Sequence, residues 1–152
     1  MIIVFALLIG IVAGLRAFTA PAAVSLAVRY WHLGVAGTPF AFLGYRWTAW
    51  IFLAIAVAEL IGDQLPATPS RKVPLQFGTR ILMGALAGGA IGGAALFYAG
   101  LAAGAAGAVV GTLGGAAARA RLAAAFRNDR PAALIEDIVA IGGAWLIVCA
   151  VV

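Results

Sequence analysis

The sequence predicts an all-α fold: a polytopic bundle of about five transmembrane spans, with Gly-rich, close-packed helices and a broken first helix. Three observations carry this. Of the 152 residues, 65% are hydrophobic even with the 20 glycines left out, and only 15 are charged, 10 basic and 5 acidic. A soluble domain carries about a quarter charged residues and about half apolar ones, and one this small leaves much of its surface in water. Most basic residues also fall between long apolar runs, and glycines recur at four-residue spacing. Together these exclude a soluble domain and a disordered chain. Cys149 is the only cysteine, which excludes an intramolecular disulfide. The basic excess is scattered between spans and makes no groove-binding stripe, so it reads as an orientation signal and not as a nucleic-acid footprint. One domain, residues 1–152, is expected, with membrane lipids as its surroundings and no cofactor.

Residues 2–28 are apolar except for Arg16, Thr19 and Ser25, with Pro21 as a break or kink. At about 1.5 Å per residue the run reaches about 40 Å, enough to cross a core of about 30 Å with tilt. No Lys or Arg precedes it, so it reads as a retained span and not a signal peptide. Residues 29–46 hold His32, Pro39 and three glycines among aromatics; Tyr30, Trp31, Tyr45, Trp47 and Trp50 suit a headgroup belt. Residues 47–65 make a second span stopped by Pro66. Residues 66–74 contain three prolines and read as an extended loop.

The 38 uncharged residues between Arg80 and Arg119 would run about 57 Å as one helix, far more than one membrane thickness. Two antiparallel spans, 79–98 and 101–124, with a turn near Gly100, resolve this. Pro131 suits a first helical position, and 132–152 gives a fifth span. With five spans, Arg71, Lys72, Arg80, Arg119, Arg121, Arg127 and Arg130 share one side while Arg29 and Arg46 take the other. The positive-inside rule then makes the first side cytoplasmic, with the N-terminus inside and the C-terminus outside.

Gly84, Gly88 and Gly92 share one helix face, as do Gly107, Gly111 and Gly115, and Gly10 and Gly14. Such faces let helix backbones approach closely in lipid. They suit packing within the chain, a homo-oligomer seam, or a Gly-lined path.

Charged residues within spans need a reason. Arg16 lies fifteen residues beyond Met1 among small neighbours; a central Arg costs at least about 2.5 kcal/mol, so it faces protein or water. It is either paired structurally or coordinates an anion. Glu59 and Asp63 are four apart and share a face. Glu136 and Asp137 are adjacent, about 100° apart on a helix, and sit where the N-terminal dipole favours acids. By the five-span topology all four carboxylates fall at similar depth, level with Arg71, Lys72 and Arg80. They form either an ion-pair network or a polar site, and four carboxylates also suit a hard divalent ion such as magnesium. His32 and Cys149 lie elsewhere, which argues against zinc.

Three strings, Ala13-Gly14-Leu15-Arg16-Ala17-Phe18-Thr19-Ala20-Pro21, Glu59-Leu60-Ile61-Gly62-Asp63-Gln64-Leu65-Pro66-Ala67-Thr68-Pro69-Ser70-Arg71 and Ala133-Leu134-Ile135-Glu136-Asp137-Ile138-Val139-Ala140-Ile141-Gly142-Gly143, carry a resemblance. The chain resembles a family of small bacterial membrane proteins catalogued as domain of unknown function forty-one twenty-six. The resemblance covers almost the whole chain. It implies a fold and an inner-membrane location but no activity, and it singles out Arg16, Glu59, Asp63, Pro66, Pro69, Ser70, Arg71, Glu136 and Asp137. An inverted internal repeat is also suggested, since Leu60-Ile61-Gly62-Asp63 parallels Leu134-Ile135-Glu136-Asp137 and Gly10 with Gly14 parallels Gly111 with Gly115; it requires spans one and four to run in opposite directions.

The leading expectation is a transporter- or channel-like protein handling a small ion or anionic solute at Arg16 and the carboxylates. The second is a membrane-embedded enzyme on a lipid phosphate, with Arg71, Lys72 and Arg80 holding phosphate and Asp63 or Asp137 as base or magnesium ligand. The third is a non-catalytic assembly module whose charges lock the bundle.

Overall fold

A computed structural model describes residues 1–62 and 73–152. Asp63, Ser70 and Arg71, together with Pro66, Pro69 and Lys72, lie outside the described residues. The described chain is helical without strands: α1 (Ile2–Leu15), α2 (Thr19–Tyr30), a short 3-10 helix (Pro39–Gly44), α3 (Arg46–Gly62), α4 (Pro74–Gly92), α5 (Phe97–Phe126) and α6 (Asp129–Val151).

The count of membrane-length spans is corrected. Among the described residues, two helices rather than five are long and apolar enough to cross a bilayer: α5 and α6, with mean hydropathies of 1.5 and 2.1. At 14 residues α1 reaches only about 21 Å, and α3 with 17 residues about 26 Å. Gln76 and Arg80 dilute the apolar character of α4.

The first expected span is two helices that fold back on each other. Pro21 would leave the Ala17 carbonyl without its i+4 donor and push its ring into that carbonyl, so a continuous helix fails one turn before the proline. The chain accordingly leaves the helix at Arg16, in extended geometry (φ −138°, ψ 112°), and re-enters at Thr19. Pro21 then lies in the first turn of α2, where amides lack intrahelical partners anyway. Reversal follows from the neighbours. Going back from Arg16, α1 passes from Asp137 to Gly143 on α6, since Val12 faces Gly143. Going forward from Arg16, α2 also climbs α6, and Trp31 meets Trp145 edge to face at 5.1 Å. The two halves therefore run antiparallel, joined by a three-residue tip.

Small residues bring α1, α4 and α5 together. A Cβ on Gly10 would collide with the Gly104 carbonyl, one on Gly107 with the Leu7 carbonyl, and one on Gly111 with the Ile11 carbonyl. The series Leu7 with Gly107, Ile11 with Gly111 and Leu15 with Gly115 increases together along both helices, so α1 and α5 run parallel. That is the opposite of what the inverted repeat requires. Helices α4 and α5 are antiparallel: a methyl on Gly84 would come 2.7 Å from the Ala108 Cβ, and one on Gly88 would come 2.8 Å from the Gly104 Cα. Gly92 packs near Gly100, Gly14 on Ala108 to Thr112, and Gly115 against Leu15. Each glycine named from the sequence thus faces another helix of the same chain. The α4–α5 turn falls at 93–96, earlier than the expected position near Gly100, because Gly93 adopts φ +58° and ends α4. Similarly α6 starts at Asp129, with the Asn128 side chain accepting from the Arg130 amide at 3.1 Å, two residues before Pro131.

The outcome is a bundle whose interior is rich in Ala and Gly, with larger apolar side chains such as Ile9, Val24 and Leu43 and a few charges. Its outside carries Leu7, Trp47, Ile51, Leu82, Tyr98, Val110, Ile138 and Leu146, all exposed.

Candidate functional site

The α1–α2 tip gathers four charges, Arg16, Glu59, Arg80 and Asp137. Leu15 is level with Gly115, Arg16 with Asp137 and Ala17 with Glu59. From that level α6 continues eight residues to Asp129 and α5 eleven residues to Phe126, about 12 and 16 Å. The tip therefore ends inside the bundle, short of the helix ends around it.

Breaking a helix exposes unpaired carbonyls on one half and unpaired amides on the other, with opposite partial charges. Each end here meets a full charge of the complementary sign. Arg80 Nη1 donates to the Gly14 and Leu15 carbonyls, each at 2.6 Å, closing the C-terminal end of α1. The Glu59 carboxylate accepts from the Ala17 amide at 2.8 Å and the Phe18 amide at 3.0 Å, closing the N-terminal end of α2. Arg80 Nη2 stands 3.7 Å from Glu59 Oε1, so the two caps also pair with each other. The Thr112 hydroxyl, which bonds the Ala108 carbonyl at 2.7 Å, lies 3.2 Å from the Gly14 carbonyl as well.

Arg16 turns the other way. Its side chain is 0% exposed and pairs with Asp137: Nε donates to Oδ1 at 2.6 Å, and Nη2 also contacts Oδ1. One turn further along the α5–α6 hairpin, Arg119 forks onto Asp129 (2.9 and 2.6 Å) and reaches Glu136 at 3.6 Å. Bidentate pairs of this kind hold orientation as well as charge.

The residues named from the sequence thus fall into three pairings: Arg16 with Asp137, which is buried, Arg80 with the part-buried Glu59, and Glu136 with Arg119. Among the described residues, no three His, Cys, Asp or Glu side chains converge as a metal would need. Sequence reading missed Thr112, Gln76, Thr79 and the backbone groups of residues 14–18. A mid-helix Thr among glycines is the available signal for the first; main-chain partners leave none.

Beside the tip lies a polar pocket of about 380 Å³, lined by Ala17, Phe18, Glu59, Leu75, Gln76, Thr79 and Arg80. It separates the lower ends of α3 and α4. A second cavity is an apolar groove of about 240 Å³ between α2, α3 and α6, running past Leu26, Leu53, Val57 and Trp145. The pocket thus brings one carboxylate, one guanidinium, an amide and a hydroxyl to the end of a broken helix.

No family model, curated protein or solved structure matches the chain, and the family resemblance stays an expectation of the sequence.

Proposed function

We propose that this is a small transporter- or channel-like membrane protein that handles a small ion or anionic solute in the pocket beside the α1–α2 tip. The observation that carries this reading is the tip itself. Non-helical backbone at membrane depth is tolerated only where protein buries it or where it lines a cavity, and here it does both. Broken helices whose ends meet charges at mid-depth are how many secondary transporters build their sites. The inside-out distribution, with Arg16, Arg80, Glu136 and Asp137 buried and Ile, Leu and Trp side chains exposed, favours lipid as the surrounding solvent over water.

In this reading the end of the bundle bearing the tip, Arg119, Arg121, Arg127 and Arg130 faces the cytoplasm. Because the first apolar run turns back at the tip, both chain ends then lie on the other side.

Flux into proteoliposomes tests the proposal, using a panel of alkali cations, halides, phosphate and small carboxylates. At least one should move, and Gln76→Ala, which touches the pocket but none of the ion pairs above, should lower that flux several-fold with thermal stability unchanged. No flux across the panel overturns the reading.

A specific observation favours the assembly module as the second reading. Glu59, Glu136 and Asp137 each already engage an arginine within the chain, as a purely structural network would. Under that reading Gln76→Ala has no phenotype, whereas Arg16→Ala lowers yield and stability together.

A further inference from the structure

The bundle is not uniformly tight. Helices α1, α4 and α5 are in backbone contact through glycines, and side chains added there would collide with main chain. By contrast α3 packs mainly on α2 and the 3-10 helix among the described residues. Only Ala49 and Ala56 of its 17 residues are buried. The apolar groove, lined from α3 by Leu53, Ala56, Val57 and Leu60, lies between α3 and α6, and the polar pocket lies between Glu59 and the first turns of α4. Beside that apolar seam, Glu59 ties α3 to the core through the Ala17 and Phe18 amides and Arg80.

We infer that Glu59 is a clasp whose release lets α3 swing outward and widen the polar pocket against a rigid α1–α4–α5 core. The clasp has the chemistry of a reversible contact. Its partners, two helix-terminal amides and one guanidinium, sit on the core: Arg80 is also bonded to the Gly14 and Leu15 carbonyls of α1. Only the carboxylate travels with α3. Released, it lets α3 move away from α4 and widens the pocket; engaged, as in this structure, it caps α2 and holds the pocket at about 380 Å³. Interfaces with few buried contacts lie at the low-stability end of a fold, where gating elements are found. This regulation rests on the pocket being the transport site, but the movement itself can be read without any flux.

Spin-label distances in the full-length protein, reconstituted and carrying Cys149→Ser, provide the test. One pair, Ile55→Cys with Val110→Cys, spans α3 and α5. The control pair, Leu82→Cys with Val110→Cys, spans α4 and α5; all three positions are exposed. Glu59→Gln should shift the α3–α5 distribution to longer distances and leave the α4–α5 distribution unchanged, and Glu59→Asp should shift it less. An unchanged α3–α5 distance overturns the clasp, as does an equal shift in both pairs. If Glu59→Gln does not fold, the chain with native Glu59 decides: a minor, longer α3–α5 population supports the clasp and a single narrow one overturns it. A shift in a protein that moves no solute leaves the clasp standing and removes only the transport reading.

Discussion

Arg16 and Asp137 show why a charge inside an apolar bundle behaves as half of a unit. Removing one partner strands the other without water, which costs about 3–5 kcal/mol in buried pairs, whereas replacing both by apolar groups is often neutral. Arg16→Ala and Asp137→Asn are each expected to destabilise the protein by about that amount in detergent unfolding. The double variant Arg16→Met, Asp137→Leu should unfold later than either single one. If it is as unstable as the worse single change, Arg16 is held by more than its ion pair. The sequence made both residues conspicuous by their cost in lipid. It did not pair them, because 121 positions separate them and Glu59 and Glu136 were equally eligible.

Among the helices, glycine spacing and glycine contact are separable. Gly104 and Gly107 face main chain, whereas nothing lies within 4 Å of where a Cβ on Gly114 or Gly142 would be. Overpacking a tight site costs about 1–3 kcal/mol, while Gly→Ala at an open helical position stabilises by about 0.5–1 kcal/mol. Gly107→Ala should therefore lower the unfolding midpoint and Gly114→Ala should raise it, measured side by side in the same detergent. Equal effects would mean that α1 and α5 are not in backbone contact. Four-residue spacing identified Gly107, Gly111 and Gly115, yet Gly100 and Gly104, a separate pair four apart that faces α4, are as closely packed. Pro21 is a similar case: the sequence flagged the break, but its location one turn earlier follows from the ring's clash with the carbonyl four residues back.

For the molecule as a whole, the fold-back at Arg16 changes the topology. Five crossings would set Met1 and Val152 on opposite sides. Antiparallel α1 and α2 instead bring Met1 to the level of Val151, each fourteen residues of helix from the Arg16–Asp137 pair. Impermeant labelling of single cysteines at Ile2 and Val152 in intact cells should give the same sidedness for both; opposite labelling would restore five crossings and remove the hairpin.

What the sequence determined by itself is the material: helices, an apolar exterior, small residues where backbones approach, and a handful of charges too costly to face lipid. These are properties of composition and local spacing, and each follows from solvation and sterics within a few turns. Packing alone selects which charge answers which. Whether Arg16 meets Asp137, whether Arg80 closes α1, and whether Glu59 closes α2 all depend on the direction in which the chain leaves residues 16–18. That direction is set by packing against α5 and α6, more than eighty residues away in sequence, where no periodicity within the first helix carries any record of it.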